Sequence, residues 1–436
     1  MAGLGPSPMD NERYTEFRAV LRNLDLFPLL SAAEIEKFRV PYGQRTLARL
    51  QSAISNSDKA SKLIFTGHRG CGKSTLLAEL ARQLRNDGLY IARFSIAETM
   101  EMSDVNHITI LYSIALKLLS QATKSKMPVP EATKEKLINW FTQTKSDTYS
   151  KQLKQELAAG VDLYGFFSGK LQKEGSFREE IKVTYERRVS ELSDQIDRIA
   201  TTIQAATGKE VLVLIDDLDK LDLGVVRTIF QENVKSLFSP RIRVVFTIPI
   251  AVIREPRLLV TLESECDMLA MLSVTKLYTK DTAHKAAAPP IEKNAAMLEK
   301  ILEKRVPDHL IEPEVRRQIV LRSGGVLREM MRLGRECCRE CMLELELDPE
   351  NEDIKIDADI LAEAVKSLRN QFARPLGTHR YDMLTETYEN FTPPDAMSDD
   401  FLELLHGLYV LEYENDDLWY DLHPIVVDLL KRKKLI

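Results

Sequence analysis

Nine residues, Gly67-His68-Arg69-Gly70-Cys71-Gly72-Lys73-Ser74-Thr75, constrain this chain more than any other stretch. They match the pattern G-x-x-x-x-G-K-[ST] in full. The apolar run Leu63-Ile64-Phe65 leads in, and Leu76, Leu77 and Leu80 lead out at helical spacing. Strand, glycine-rich turn and helix are the context the pattern needs. Glycines at 67, 70 and 72 let successive backbone N–H groups curl round an anion. The first helical turn adds its unpaired donors and the positive end of its dipole. In such a loop, residues 67 to 75 cradle the phosphates of a nucleoside triphosphate, Lys73 reaches the terminal ones, and the Ser74 hydroxyl ligates Mg²⁺.

A second motif sits downstream at Val211-Leu212-Val213-Leu214-Ile215-Asp216-Asp217-Leu218-Asp219. Five consecutive apolar residues predict a strand buried on both faces, as in a parallel sheet. Acids at the carboxyl end of such a strand stand where α/β sheets hold ligands. Asp216 is the candidate to hold Mg²⁺ through water, and Asp217 the candidate to orient or deprotonate an attacking water. The fold class is therefore α/β, a three-layer phosphate-loop core.

A chain of 436 residues has room for about three domains. The net charge of -6 argues against a protein that coats DNA generally, and leaves room for a local basic patch. Five cysteines without a spaced framework point to a reducing cytoplasm. No signal pattern opens the chain, and no apolar run approaches the ~20 residues of a membrane helix. The expected location is cytoplasmic, with no membrane partner.

In chain order, residues 1–39 form an N-terminal helical segment, and Arg39-Val40-Pro41-Tyr42-Gly43 breaks the helical pattern before it restarts at Leu47, Leu50 and Ile54. The core runs over 40–280, with a second strand at Leu89–Ile96 and a helical insertion at about 102–207. That insertion carries one helix near Ile108–Leu119 and another starting at about Phe177. The second has apolar residues at 181, 185, 189, 192, 196, 199 and 203. Between them, the aromatic and glycine residues of 161–170 read as a loop packed on its own domain or as a partner-binding or membrane-touching hairpin. The strand Arg243–Pro249 is placed beside the acid strand, and Thr247 at its end either senses the terminal phosphate or is only a strand former. Arg254 and Arg257 follow; each either completes a neighbouring subunit's site or makes surface ion pairs. Met268–Val274 is the last core strand.

Residues 281–372 read as a linker followed by four helices, a helical lid. The stretch Ser323-Gly324-Gly325 is superficially like the transporter-ATPase signature, but it lies about a hundred residues after the acid strand instead of before it, and that reading is rejected. Arg328 then starts a lid helix and points back at the phosphates, or faces solvent. Cys337, Cys338 and Cys341 fall on a helix with no histidine nearby, so they read as core residues and not as a zinc site. Cys71, at a helix N-terminus, is either a thiol of depressed pKa whose modification blocks nucleotide or a permissive loop position. Residues 373–436 show helix, helix and two short strands, a winged-helix order. From residue 399 onward nine acids face four bases gathered at the tail, so phosphate contact is disfavoured and a protein-contact role expected.

These pieces together resemble the branch of P-loop ATPases that includes AAA+ helicase-loader relatives, STAND signalling ATPases and KAP-type ATPases. The resemblance rests on Gly67 to Thr75, the Asp216-Asp217-Leu218-Asp219 ending, Thr247, Gly324 to Arg328 and the terminal winged helix. It implies ATP with Mg²⁺ held between core and lid, and oligomerisation in the ATP state. Within this resemblance Val40 to Tyr42 either cover the adenine or form a plain connecting loop. Asp217 stands where typical AAA+ proteins have a catalytic glutamate, which implies slow, switch-like hydrolysis. The lid lacks the glycine-x-proline signature usual in STAND proteins. The expected function is a slow regulatory ATPase, a nucleotide-driven assembly switch with a separate protein partner; by family analogy alone, bacterial stress or antiviral defence suits it. The alternative is a DNA-binding loader or transposition-type regulator.

Overall fold

The computed structural model describes residues 11–124, 163–285, 287–351, 353–414 and 417–436. The expected features at 1–10 and 125–162, with Val161 and Asp162, lie outside the described residues, as do Asn415 and Asp416 of the terminal hairpin. The chain divides into two compact units. One comprises Arg45–Thr66 and Leu76–Met271; the other comprises Met1–Gln44, Gly67–Thr75 and Leu272–Ile436.

The first unit is built on a five-stranded parallel sheet: β1 (Lys62–Gly67), β2 (Tyr90–Ser95), β3 (Val211–Asp216), β4 (Arg243–Pro249) and β5 (Met268–Leu272), in the order β2-β3-β4-β1-β5. Every residue of β3 and β4 is buried. That follows from their continuous apolar runs, because a parallel sheet covered on both faces leaves no side for polar alternation. β2 pairs with β3 in a register that sets Ser95 beside Asp216, and β3 pairs with β4 so that Ile215 faces Phe246. At the amino end of the sheet, Arg243 is buried, and its guanidinium bonds Glu210 at 2.6 Å and the Ser57 carbonyl at 2.6 Å. Lys62, also buried, donates to the Pro240 and Ile242 carbonyls, and burial pushes its ammonium down to about 8.

The insertion packs as helices His107–Lys124, Leu163–Lys173, Gly175–Tyr185 and Val189–Thr207. The apolar periodicity predicts one helix from Phe177 to Ile203; the structure has two, broken at Glu186–Arg188. The Arg188 N–H turns back onto the Tyr185 carbonyl and its guanidinium pairs with Glu191, while the apolar spacing of four runs on across the break. A tight polar turn of this kind leaves no mark on the apolar pattern. The aromatic segment is helical, not a loop: Phe167 is buried, stacked on Phe177 and edge-on to Tyr112, so its described aromatics pack on their own unit.

In the second unit, helices Glu12–Asn23 and Ala32–Phe38 pack with four helices, Glu292–Glu303, Pro313–Arg322, Leu327–Leu347 and Ala358–Ala373. Tyr14 donates to Glu346 at 3.0 Å, Arg335 donates to the Leu21 carbonyl, and Arg305 reaches the Phe38 carbonyl. Burial pushes Arg305 down to about 10. Cys337, Cys338 and Cys341 are buried along Leu327–Leu347, and burial raises all three thiols. The chain ends with helices Tyr381–Asn390 and Asp399–His406, the antiparallel pair β6 (Val410–Glu414) and β7 (Leu418–Leu422), and helix Pro424–Arg432.

His423 caps that last helix: its Nδ1 accepts from the Ile425 N–H at 3.2 Å and its ring stacks on Phe372. Burial, reinforced by the Arg332 guanidinium, pushes it down to about 3. The folded chain therefore keeps His423 neutral where the unfolded chain, with a pKa near ~6.5, takes up a proton. Its contribution to stability is complete above that pH, declines as pH falls, and is lost near the folded value, at about 1.4 kcal/mol per pH unit. Between pH 7 and 5 the wild type is expected to lose about 2 kcal/mol more than His423→Asn, which keeps a capping side chain and removes the titration. Urea midpoints at the two pH values measure the difference, and equal losses contradict the assignment.

Candidate phosphate-binding site

β1 runs directly into the glycine-rich loop, and the helix Lys73–Asn86 leaves it. The loop takes backbone angles that side chains resist: φ is 144° at Gly67, 78° at Gly70 and 98° at Gly72. The surroundings are as restrictive as the angles. A Cβ on Gly72 would lie 1.5 Å from the Tyr42 hydroxyl, and one on Gly70 2.4 Å from Arg328 Cβ. Lys73 is buried, with its ammonium donating to the Gly67 and His68 carbonyls at 2.7 and 2.8 Å.

Other parts of the same unit close on this loop. The Arg328 N–H, at the start of the long lid helix, donates to the Gly70 carbonyl at 3.0 Å. The Tyr42 hydroxyl donates to the Gly72 carbonyl at 3.0 Å, and the Leu29 N–H to Thr75 Oγ1 at 3.1 Å. His68 is fully buried, and its Nε2 accepts from the Glu412 N–H of β6 at 2.8 Å, which fixes the proton of a neutral ring on Nδ1. Arg69 and Arg328 share the wall of a cavity of about 270 Å³ with Arg332 and Glu329. Cys71 is buried, its Sγ 3.7 Å from the Leu272 carbonyl. Arg328 is thus at the loop through its backbone and Cβ. Tyr42 meets the Gly72 carbonyl, a role that the sequence alone does not distinguish from covering a base.

The acids lie in the sheet unit. Asp216 is buried, and its Oδ1 accepts from the Asp217 N–H. Asp217 adopts φ 68°, a left-handed conformation that aspartate tolerates better than most side chains. Its carboxylate is held by the Ser95 hydroxyl at 2.6 Å and the Lys220 ammonium at 2.5 Å. Carboxylate oxygens of Asp216, Asp217 and Asp219 come within 4.8 Å of one another, a hard-oxygen set of the type Mg²⁺ takes. Thr247 is fully buried; its hydroxyl accepts from the Leu218 N–H at 3.2 Å and donates to the Ile215 carbonyl at 3.3 Å. Here the threonine braces the turn that carries the acids. Arg254 closes the short turn Ile250–Arg254 after β4, half-buried, while Arg257 is exposed on the next helix. Ser95 and Lys220 escape sequence reasoning, although Ser95 carries a faint signal as a hydroxyl ending a buried strand.

The family model for the N-terminal part of nephrocystin 3 matches residues 46–162. No curated protein sequence matches the chain. Among solved structures, the chain is similar to Aeropyrum pernix ORC1 in complex with DNA, at 14% identity, TM-score 0.42, covering 93% of this chain and 96% of that one. It is also similar to Pyrobaculum aerophilum Cdc6p, at 12% identity and TM-score 0.39, over 93% and 97% of the two chains. A Thermotoga maritima RuvB variant shows 13% identity and TM-score 0.37, over 94% and 98%.

Two substitutions test the local geometry. Thr247→Val strips the partner from the buried Leu218 N–H and is expected to cost about 1–3 kcal/mol in urea unfolding. Gly72→Ala is expected to lower the thermal midpoint well below that of Gly88→Ala, which has a similar φ of 90° but open space around it. Equal midpoints would show that Tyr42 yields freely. Its complete loop motif, its acid-ended β3 and its five-stranded parallel sheet together make an α/β core of the phosphate-loop type, with a helical lid.

Proposed function

We propose that the chain binds ATP with Mg²⁺, hydrolyses it slowly, and uses the bound nucleotide to set the disposition of its lid and its winged-helix-like C-terminal module, which in turn governs self-assembly and contact with a protein partner. One observation carries this reading: within a single compact unit, the Gly70 carbonyl of the phosphate loop is hydrogen-bonded to the start of the lid helix and its His68 to the terminal hairpin. The two contacts are themselves joined, because the Tyr413 hydroxyl of the hairpin donates to the Gly324 carbonyl beside the lid helix start. An anion in the loop therefore acts on the same stretch of backbone to which the C-terminal module is bonded.

The roles follow from chemistry at each atom. Lys73 leaves the Gly67 and His68 carbonyls for the terminal phosphates, which loosens the backbone on which the Glu412 contact rests. The backbone N–H groups of the loop and of the helix start bind phosphate oxygens. Ser74 in the loop and, in the sheet unit, Asp216 with Asp219 beside it are the groups that would ligate the metal. Bound Mg²⁺ neutralises charge developing on the phosphates. Asp217 orients the attacking water with a carboxylate fixed by Ser95 and Lys220; a side chain already committed to two partners suits slow turnover. Thr247 keeps the acid turn in place, and Arg254 is the candidate to act on a neighbouring subunit's nucleotide.

The test is mass in solution with and without ATP and Mg²⁺, beside turnover of wild type and Asp217→Asn. Asparagine tolerates the same left-handed backbone, so the variant isolates the charge. An ATP-dependent rise in mass is expected, with turnover lost and assembly retained in the variant. An unchanging monomer overturns the assembly part and leaves a nucleotide-gated binding module. Duplex DNA affinity that falls steeply with salt favours the DNA-handling alternative.

A further inference from the structure

Away from the phosphate loop, the second unit holds a half-open cavity of about 490 Å³. Its walls come from the linker at residues 277–288, the end of helix Pro313–Arg322, helix Tyr381–Asn390, the β6–β7 hairpin and the last helix. That volume falls within the range of pockets that hold small organic molecules. Two properties of the lining define what it takes.

The first is aromatic. Tyr388, Tyr413 and Trp419 line the space. They are held by stacking behind it: His284 lies on Tyr388 at 3.8 Å and on Phe391 at 4.5 Å, and Tyr413 lies on Trp419 at 4.7 Å. Walls fixed in this way pay little ordering entropy when a flat molecule enters. The Trp419 indole N–H is buried and has no acceptor among the described residues.

The second is charge. Arg322, Lys285 and Lys431 line the cavity, and none of the three forms an ion pair among the described residues. One carboxylate lines it, that of Asp421, and it is already engaged by His284 Nε2 at 2.9 Å and by the Leu422 N–H at 2.7 Å. The cavity therefore offers three uncommitted cations against one committed acid. Arg322 Nε is itself buried without an acceptor, so its guanidinium is desolvated on one side and gains most from an anion on the other.

We propose that this cavity is a second ligand site, which binds a small aromatic or heteroaromatic anion, ring against Tyr388 and Trp419 and anionic group on Arg322. A ligand there touches linker, lid helix and hairpin at once. Its occupancy favours whichever arrangement of these elements keeps the walls together. The inference does not depend on what the phosphate loop binds.

The probe is 8-anilinonaphthalene-1-sulfonate, an aromatic anion, compared with its uncharged relative N-phenyl-1-naphthylamine. Trp140→Phe leaves Trp419 as the one indole in the chain, and its quenching by energy transfer reports binding beside it. Titrations run on the full chain with ATP and Mg²⁺ in excess, so that the phosphate loop is not the acceptor. Saturable binding of one probe per chain is expected, roughly tenfold tighter than the uncharged relative, and roughly tenfold weaker in Arg322→Ala. Lys431→Ala, at an exposed position, is expected to weaken binding by about twofold to threefold without touching the fold. Displacement by AMP identifies a nucleotide monophosphate as the natural class, and displacement by indole-3-acetate an aromatic carboxylate. Equal affinity for charged and uncharged probes, binding unchanged in both Arg322→Ala and Lys431→Ala, or no saturable quenching of Trp419 overturns the proposal.

Discussion

The positive φ angles of Gly67, Gly70 and Gly72 are the constraint on which the second unit depends. They do more than turn the chain from β1 into its helix. A glycine presents bare backbone, and each of these three lets a different part of the chain come to contact distance. The Leu272 carbonyl approaches Gly67, Arg328 approaches Gly70, and Tyr42 approaches Gly72. Nine residues thus become the meeting point of the end of the last strand, the start of the long lid helix and the N-terminal segment. A methyl group at any of the three glycines collides with one of these neighbours.

The same loop meets the last hairpin through buried His68. His68 accepts from the Glu412 backbone, and the hairpin returns the connection through Tyr413 to Gly324. Val274, Val326, Leu408, Leu411, Tyr413 and Trp419 form a shared apolar core beneath these bonds. Buried polar contacts of this kind, set in an apolar surround, are costly to break, since a hydrogen bond lost there has no water to replace it. The His68–Glu412 bond joins residues more than 300 positions apart in the chain.

In the sheet unit, backbone strain and bracing are concentrated at the end of β3. Asp217 holds a left-handed backbone, its charge is matched by Lys220, and its direction is set by Ser95. Thr247 reaches from β4 to bond both the carbonyl before the acids and the amide after them. A residue kept in a sparsely populated conformation by this many neighbours is over-determined, as functional turns commonly are.

The sequence by itself determined the α/β class, the five strands within one or two residues, the glycine-rich turn between β1 and its helix, and the acids at the end of β3. It did so because each is a local property: a run of apolar residues long enough to be buried on both faces, or a fixed spacing of glycines and a lysine. It also placed the lid helices, whose apolar spacing is unbroken. It missed the turn at Glu186–Arg188, where the apolar spacing continues across a break made by hydrogen bonds. Only the tertiary structure decided that Thr247 braces the acid turn, that Tyr42 sits on the loop, that Ser95 and Lys220 hold Asp217, and that His68 meets the terminal hairpin. Those contacts join residues tens to hundreds of positions apart, and packing alone sets which side chains meet across such distances.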